Sequence, residues 1–259
     1  MNSRETLVKN LRLIPRLDIK GPNLIKSVQL EGLKVLGNPK DFANRYYKEG
    51  ADELLLMDSV ASLYGRNNLT SLISEVAKDI FIPVTVGGGI RSLEDASEAL
   101  LSGADKVAVN TGAVENPNLI HALSRRYGSQ SIVLSVDAKL INNEWEVLTE
   151  MGRQKTNLSV KKWIAIGAEL GAGEILLTSV DREGTRTGFD LELITEISAM
   201  VSVPIIVSGG MGKLDDLLSV APLVDGVAIA DLLHYQRNSL LQLRDFALTH
   251  KLPVRNHGQ

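Results

Sequence analysis

Two aspartates that end apolar runs are the first candidates for acid–base chemistry. The segment LIPRLD ends at Asp18, and the similar segment IVLSVD ends at Asp137, 119 residues later. A protonated and an ionised carboxyl group facing each other can act as general acid and general base. Each aspartate alone could instead cap a loop or pair with a lysine such as Lys20 or Lys139. Because they occur as a matched pair, we favour catalysis.

Glycines that follow two further apolar runs are candidates for anion binding. Residues 81–91 read FIPVTVGGGIR and residues 203–212 read VPIIVSGGMG, with an offset of 121 residues. Backbone N–H groups of such glycine turns can bind a phosphate. A neighbouring run, KVAVN, ends at Asn110 and is followed by Thr111. One glycine run alone could be a plain tight turn, but its repetition predicts two phosphate sites and an elongated substrate.

Four strand-like units occur twice in the same order, so the chain is an internal duplication. The alternation of strand-like and helix-like segments predicts a parallel sheet with helical crossovers. We predict a single-domain (β/α)8 TIM barrel made of two similar half-barrels, residues 11–259, after a polar leader, residues 1–10. The predicted strands lie near residues 12–18, 52–58, 81–86, 105–110, 131–137, 173–179, 203–208 and 225–230. Helical patterns include residues 39–49, 68–78, 93–101 and 116–127.

Several loops of this barrel would surround the mouth, where active sites of the fold lie. Two long loops, residues 20–38 and 139–156, follow the first and fifth strands and are candidate lids. Asp58 and Thr178 lie at matching strand ends by our alignment of the halves. The DREGTRTG loop starts at Asp181 and could bind substrate hydroxyls, although a solvated surface loop is the alternative.

The opposite end of the barrel has its own charge pattern. Arg12, Glu53, Lys106 and Glu174 each lie at or near a predicted strand start. Two positive and two negative charges there predict an ion-pair layer on the barrel floor. Such a layer could only stabilise the bottom face, or it could be a gate or a docking surface. Periodicity leaves both interpretations open.

Composition excludes several classes of function. The net charge of −3 over 259 residues argues against nucleic-acid binding. With no cysteine, there is no disulfide, thiol nucleophile or Cys-ligated metal, and the four histidines lack ligand spacing. We therefore expect no metal and no cofactor. No apolar run suits a membrane span or a signal peptide, which predicts a cytoplasmic protein.

Six motifs between Arg12 and Arg255 carry a resemblance to a known family. They read IPRLDIK, EGADELLLMD, FIPVTVGGGIRS, GADKVAVNT, LGAGEILLTSVDREGT and VPIIVSGG. They resemble the HisF family, the cyclase subunits of imidazole glycerol phosphate synthase. The resemblance implies a heterodimer in which a HisH-like glutaminase docks on the barrel floor and delivers ammonia through the barrel. Ammonia then reacts with a bis-phosphorylated aminoimidazole carboxamide ribulotide (PRFAR) to give imidazole glycerol phosphate and the aminoimidazole carboxamide ribotide (AICAR).

The resemblance also implies roles for individual residues. Asp18 and Asp137 match the acid–base pair, and Lys26 matches a loop residue that contacts substrate. The remaining matches are Gly88, Gly89, Asn110 and Thr111 at one phosphate site, Gly209 and Gly210 at the other, and Arg12, Glu53, Lys106 and Glu174 at the gate.

Three departures from the family pattern leave the acceptor of the ammonia open. Asp231 stands at the second phosphate site where the family has a small hydroxyl residue, and its carboxylate would repel a phosphate. Arg16 shares the inward face with Asp18 and needs a partner, and Val60 replaces a threonine. These changes suit HisF-like paralogues that relay ammonia for amidation of a cell-surface sugar in lipopolysaccharide or O-antigen clusters. A HisA-like sugar-phosphate isomerase is a third, less favoured reading.

Overall fold

Eight parallel strands form a closed barrel, as predicted from the sequence. The computed structural model describes residues 10–59, 61 and 69–256. The strands are β1 (Arg12–Lys20), β2 (Asn23–Val28), β3 (Glu31–Gly37), β4 (Leu54–Asp58), β5 (Val84–Gly87), β6 (Lys106–Val109), β7 (Ile132–Ile141), β8 (Glu144–Thr149), β9 (Gln154–Ser159), β10 (Glu174–Ser179), β11 (Ile205–Ser208) and β12 (Gly226–Ile229). The barrel runs β1-β4-β5-β6-β7-β10-β11-β12, and the pairing of β12 with β1 closes it. All eight predicted barrel strands are present. Val60 and nearly all of the predicted leader lie outside the described residues.

Helices alternate with the barrel strands and cover their outer face. The described α-helices are α1 (Pro39–Lys48), α2 (Thr70–Asp79), α3 (Leu93–Leu101), α4 (Thr111–Glu115), α5 (Asn118–Tyr127), α6 (Val160–Glu169), α7 (Leu191–Ser198), α8 (Asp216–Val220), α9 (Asp231–His234) and α10 (Leu240–Thr249). Capping residues determine where two of these helices begin. Asn38 caps α1 just before a proline, and Ser239 forms a capping box with Gln242 at the start of α10. Within the described ranges, no helix has the length and apolar character needed to cross a membrane.

The two long loops predicted after the first and fifth barrel strands are instead β-hairpins. β2 pairs antiparallel with β1 and β3, and β8 pairs antiparallel with β7 and β9. Gln29 and Leu30 both have positive φ in the first hairpin, as do Asn142 and Asn143 at the turn from β7 into β8. Two such residues in a row are typical of the tight turns that join antiparallel strands. The Asn-Asn pair was therefore a turn signal that the loop prediction missed.

The alternation of side chains along each strand produces two separate cores. Leu13, Leu17 and Ile19 of β1 pack outward against the helices in the large core. Ile14, Arg16 and Asp18, at the alternate positions of this strand, face the barrel lumen. A second apolar cluster fills the middle of the lumen and consists of Ile14, Leu55, Met57, Ala108, Val133, Leu176, Ile206 and Ala228. The lumen is thus layered, with charged residues below this cluster and polar residues above it.

Candidate active site

Asp18 and Asp137 lie on opposite sides of the barrel mouth. Asp18 is near the carboxyl end of β1 and Asp137 near that of β7, with three barrel strands between them in either direction. Their side chains are 3% and 7% exposed. Burial at strand ends on the lumen side is the arrangement from which this fold performs catalysis. The structure therefore brings together the two residues predicted as the acid–base pair.

Asp18 is held in its ionised form by neighbouring cations. Nε of Arg16 donates a hydrogen bond to Oδ1 of Asp18 at 2.9 Å. Burial alone raises the pKa of Asp18, but attraction by Arg16 and Lys26 outweighs it, so the pKa lies below its ordinary value. Oδ2 of Asp18 is buried and accepts no hydrogen bond from the described residues. This oxygen is an available acceptor at the mouth.

Asp137 has the opposite electrostatic environment. Burial, together with the negative charges of Asp18 and Glu183, raises its pKa to about 6, although Arg16 and a hydrogen bond from Asn110 act against this shift. Nδ2 of Asn110 donates to Oδ2 of Asp137 at 3.1 Å. A carboxyl group with a pKa near neutral pH can both deliver and recover a proton. The two aspartates therefore differ in proton affinity although their positions match.

Arg16 has the partner that its buried position requires, the carboxylate of Asp18. Its Nη1 also donates to Oγ1 of Thr178 at 3.0 Å and to Oγ of Ser208 at 3.1 Å. Burial alone would lower the pKa of Arg16, but Asp18, Glu183 and Asp137 raise it above its usual value. The guanidinium is thus a permanent buried cation that joins β1 to strands of the second half-barrel.

Strand pairing corrects the predicted equivalence of Asp58 and Thr178. In the register of β4 with β1 and of β10 with β7, the counterpart of Thr178 is Met57, and the counterpart of Asp58 is Ser179. Successive strand residues point to opposite faces, so Thr178 faces the lumen, whereas Asp58, at the end of β4, lines the edge of the first mouth cavity. Oδ1 of Asp58 accepts a hydrogen bond from the backbone N–H of Ala61 at 3.0 Å.

The first predicted phosphate site is an open cavity. Gly88, Gly89, Asn110 and Thr111 line it together with Asp137, and it encloses about 540 Å³, part of it open to solvent. The φ angles of Gly88 and Gly89 are +96° and +75°. A side chain at Gly88 would also clash with a backbone carbonyl of β4. Only glycine suits this turn, which keeps the backbone accessible to a ligand.

The second predicted phosphate site repeats the backbone but not the side chains. Gly209 and Gly210 have φ angles of +97° and +103°, and a Cβ at Gly209 would lie 2.7 Å from a backbone carbonyl oxygen of β10. The cavity beside them is smaller, about 280 Å³, and its lining includes the carboxylates of Glu183 and Asp231. The two half-sites are therefore alike in main-chain shape and unlike in charge.

Asp231 at this second site is paired with arginines of the chain itself. Nε of Arg186 lies 3.1 Å from Oδ1 of Asp231, and Nη1 of Arg237 lies 3.7 Å from the same oxygen. The Asp231 side chain is 8% exposed. Since cations compensate the buried carboxylate, the charge predicted to repel a phosphate is partly neutralised.

Lys26 and Asp181 are both engaged in contacts within the protein. The Lys26 ammonium on β2 forms a buried ion pair with Glu183, which anchors the first hairpin to the loop after β10. Oδ2 of Asp181 accepts a hydrogen bond from the backbone N–H of Leu140 at 2.9 Å. Asp181 therefore holds the end of β7, and neither mouth cavity includes it.

The four charged floor residues form a closed ring of ion pairs, which we call the floor ring. Arg12 contacts Glu53 at 2.8 Å and also contacts Glu174. Lys106 contacts the same two carboxylates at 3.0 and 2.8 Å. Burial alone would lower the pKa of Arg12, but the two carboxylates raise it above its usual value. The ring lies directly beneath the apolar cluster of the lumen.

Three residues of the mouth were not predicted from the sequence. Glu183 pairs with Lys26, Ser208 binds Arg16, and Arg91 lines the first cavity. The alternation of strand residues could have found Ser208, because it follows an inward apolar residue by two positions. Arg91 directly ends the glycine-rich run, and a cation there was a usable signal for anion binding.

Comparison with known proteins places this chain in a family. The family model of histidine biosynthesis proteins matches residues 12–239. The imidazole glycerol phosphate synthase subunit HisF of Legionella pneumophila is 60% identical over 210 residues, which are 81% of this chain and 99% of the relative. The chain belongs to the HisF family. The HisF proteins of Sulfolobus acidocaldarius and Prochlorococcus marinus (strain MIT 9312) are 43% and 45% identical over 244 and 250 residues, 94% and 95% of this chain and 98% of each relative.

Membership of the HisF family confirms the resemblance seen in the sequence motifs. The relatives are named as subunits of imidazole glycerol phosphate synthase, so they belong to an enzyme with more than one kind of subunit. In this barrel the facing carboxylates lie at one end of the lumen, at the mouth, and the floor ring lies at the other end.

Proposed function

We propose that this HisF-family chain is the cyclase subunit of an imidazole glycerol phosphate synthase in histidine biosynthesis. It would combine ammonia with PRFAR and release imidazole glycerol phosphate and AICAR. The observation that carries the proposal is the pair of facing aspartates, one with a lowered pKa and one with a pKa of about 6, beside a glycine-lined cavity. This pair supplies a base and an acid at the same mouth.

The substrate is proposed to span the mouth between the two glycine turns. Gly88, Gly89, Asn110 and Thr111 would bind one phosphate, and Gly209 and Gly210 the other. Backbone N–H groups of glycine turns can bind phosphate without a dedicated cation. Lys26, Thr178 and Asp181 remain proposed substrate contacts, and their present partners would have to exchange for substrate atoms.

Ammonia is proposed to enter from the opposite end of the barrel. A HisH-like glutaminase would dock on the floor and form a cytoplasmic heterodimer with this chain, whose residues 11–259 act as one unit after a short leader. The floor ring of Arg12, Glu53, Lys106 and Glu174 would be the gate, because its ion pairs close the end of the lumen. The apolar cluster above it would carry neutral ammonia rather than ammonium, since it offers no partner for a charge.

The direct test is turnover of PRFAR by the purified chain with ammonium salt at alkaline pH, followed by absorbance. Replacing Asp18 or Asp137 by asparagine should lower kcat by about 100-fold or more, the range for loss of a general acid or base, while ligand binding persists. Asp215→Asn, at an exposed position on α8's N-terminal side, is the matched control and should retain full activity. Full activity in both site variants would refute the proposal.

A second function has a specific observation in its favour. The second half-site has two carboxylates, Glu183 and Asp231, where a second phosphate would bind, and two like charges 4 Å apart repel by about 1 kcal/mol even in water. This suits a HisF-like paralogue that relays ammonia for amidation of a cell-surface sugar. On that alternative the folded chain would bind and stimulate its glutaminase partner but would not turn over PRFAR.

A further inference from the structure

The two half-barrels match at their aspartates but differ at the residue two positions earlier. Asp18 is preceded by Arg16, and Asp137 is preceded by Ser135. Both of these residues face the lumen, as do the aspartates, because side chains two apart on a strand share a face. Arg16 and Ser135 are 2% and 3% exposed. At the position two residues before each aspartate, a cation thus accompanies Asp18 but not Asp137.

The Arg16 side chain is held from both half-barrels. Its Nε binds Asp18 on its own strand, and its Nη1 binds Thr178 on β10 and Ser208 on β11. Three hydrogen bonds from one planar guanidinium fix its orientation, so it cannot turn away without losing them. Arg16 also forms part of the wall of the cavity that contains Asp137.

We propose that Arg16 is a positioning residue that keeps Asp18 as the ionised member of the carboxylate pair, which leaves Asp137 as the member that carries the transferable proton. The negative charge of one buried carboxyl group at the mouth disfavours ionisation of the other, so the pair resists double ionisation. Arg16 decides which of the two aspartates is the more readily ionised, because its guanidinium donates a hydrogen bond to Asp18 and not to Asp137. Arg16 thereby assigns the acid and the base before substrate arrives.

The other charged groups near the pair cannot decide this by themselves. Lys26 on β2 attracts Asp18 but is ion-paired with Glu183, whose negative charge acts on Asp137. His234 on α9 is also close to Asp18, but burial lowers its pKa to about 3, so its imidazole is neutral at physiological pH. Among the described residues, Arg16 is the cation that donates a hydrogen bond to Asp18.

The test is a pH titration of the aspartate side-chain carboxyl carbons by NMR, on protein labelled with ¹³C in its aspartates. Asp18→Asn and Asp137→Asn variants assign the two resonances. In the wild type, Asp137 should titrate near pH 6, while Asp18 should stay ionised from pH 8.5 down to about pH 4.5. In Arg16→Met the Asp18 midpoint should rise by about 1–3 pH units, the effect of losing an adjacent cation, and the two titrations should become coupled.

Matched variants separate positioning from general damage to the fold. Ser135→Ala changes the counterpart position and should leave both titrations as in the wild type. Arg16→Lys keeps the charge but loses the planar fork, and should give an intermediate shift. An unchanged Asp18 titration in folded Arg16→Met would overturn the proposal. If Arg16→Met does not fold, Ser208→Ala decides, since it loosens Arg16 and should raise the Asp18 midpoint by a smaller amount; no rise there overturns the proposal.

The role of Asp137 as proton donor rests on the proposed function, but the NMR titration requires no turnover. If the wild type turns over PRFAR, the acidic limb of its kcat–pH profile should move in Arg16→Met, whereas a merely structural role would lower kcat at every pH alike. If the wild type shows no turnover, the proposed function fails, and the titration still decides the role of Arg16.

Discussion

Replacing Lys106 by methionine removes one of the two cations of the floor ring and leaves two carboxylates facing Arg12 alone. The side chains of Glu53 and Glu174 are 2% and 6% exposed, whereas those of Lys106 and Arg12 are 17% and 25% exposed. The carboxylates cannot reach water, but the cations partly can. Removing a cation should therefore destabilise the barrel more than removing an anion.

The expected sizes follow from this difference in exposure. Breaking a buried ion pair by deleting one partner costs about 3–5 kcal/mol, and the partial exposure of Lys106 puts Lys106→Met near the lower limit, about 3 kcal/mol. Glu53→Gln leaves two cations that water partly reaches, so the cost should be nearer that of a lost hydrogen-bond partner, about 1–2 kcal/mol. The double variant, with Lys106→Met and Glu53→Gln, keeps one cation and one anion, Arg12 paired with Glu174. Its loss of stability should be smaller than the sum of the two single losses.

Thermal unfolding of the purified variants measures these costs. For a domain of this size, 1 kcal/mol corresponds to about 2–4 °C, so Lys106→Met should lower Tm by about 6–12 °C. Lys161→Met breaks an exposed surface pair with Glu196 and is the matched control, with an expected cost below about 1 kcal/mol. The reasoning is refuted if Lys106→Met costs no more than Glu53→Gln, or if the double variant is simply additive.

Two further predictions concern the mouth. The pKa of Asp137 is higher in the folded chain than in the unfolded chain, so its ionisation lowers the free energy of unfolding. This loss grows from pH 3.8 to about pH 6 and is complete above that range. Asp137→Asn should therefore raise Tm at pH 8 but not at pH 4. The pKa of Asp18 is lowered in the folded chain, so its ionised form stabilises the fold at pH values above its ordinary pKa, and this stability is lost as pH falls. Asp18→Asn should therefore lower Tm at pH 8. A change of Tm in the same direction for both variants at pH 8 would contradict these assignments. Gly209→Ala places a methyl group against a backbone carbonyl at a residue with positive φ. Gly21→Ala is the control, because its φ is +56° but nothing lies within 4 Å, and it should cost only about 1–2 kcal/mol. Denaturant unfolding should show a larger cost for Gly209→Ala, and equal costs would mean that the clash is relieved.

The barrel itself could be predicted from the sequence because its signals are local and repeated. Each barrel strand is a short apolar run, and the offset of about 120 residues aligns the halves. The glycine turns were readable for the same reason, since a positive φ near a carbonyl demands glycine whatever surrounds it. The single-residue error in matching Asp58 with Thr178 was avoidable, because the offset of 121 residues already aligns Met57 with Thr178 and Asp58 with Ser179, as the strand register also shows.

The amino-acid sequence by itself determined the duplicated strand order, the facing aspartates and the four floor charges. Only the tertiary structure decided which charges pair: Arg16 with Asp18, Lys26 with Glu183, and Asp231 with Arg186. Lys26 and Glu183 are separated by 157 residues, so no local periodicity connects them. Burial and the distances between neighbouring charges set both the pairing and the protonation of each carboxyl group. For this reason, two aspartates that look equivalent in the sequence differ in proton affinity at the mouth of the folded barrel.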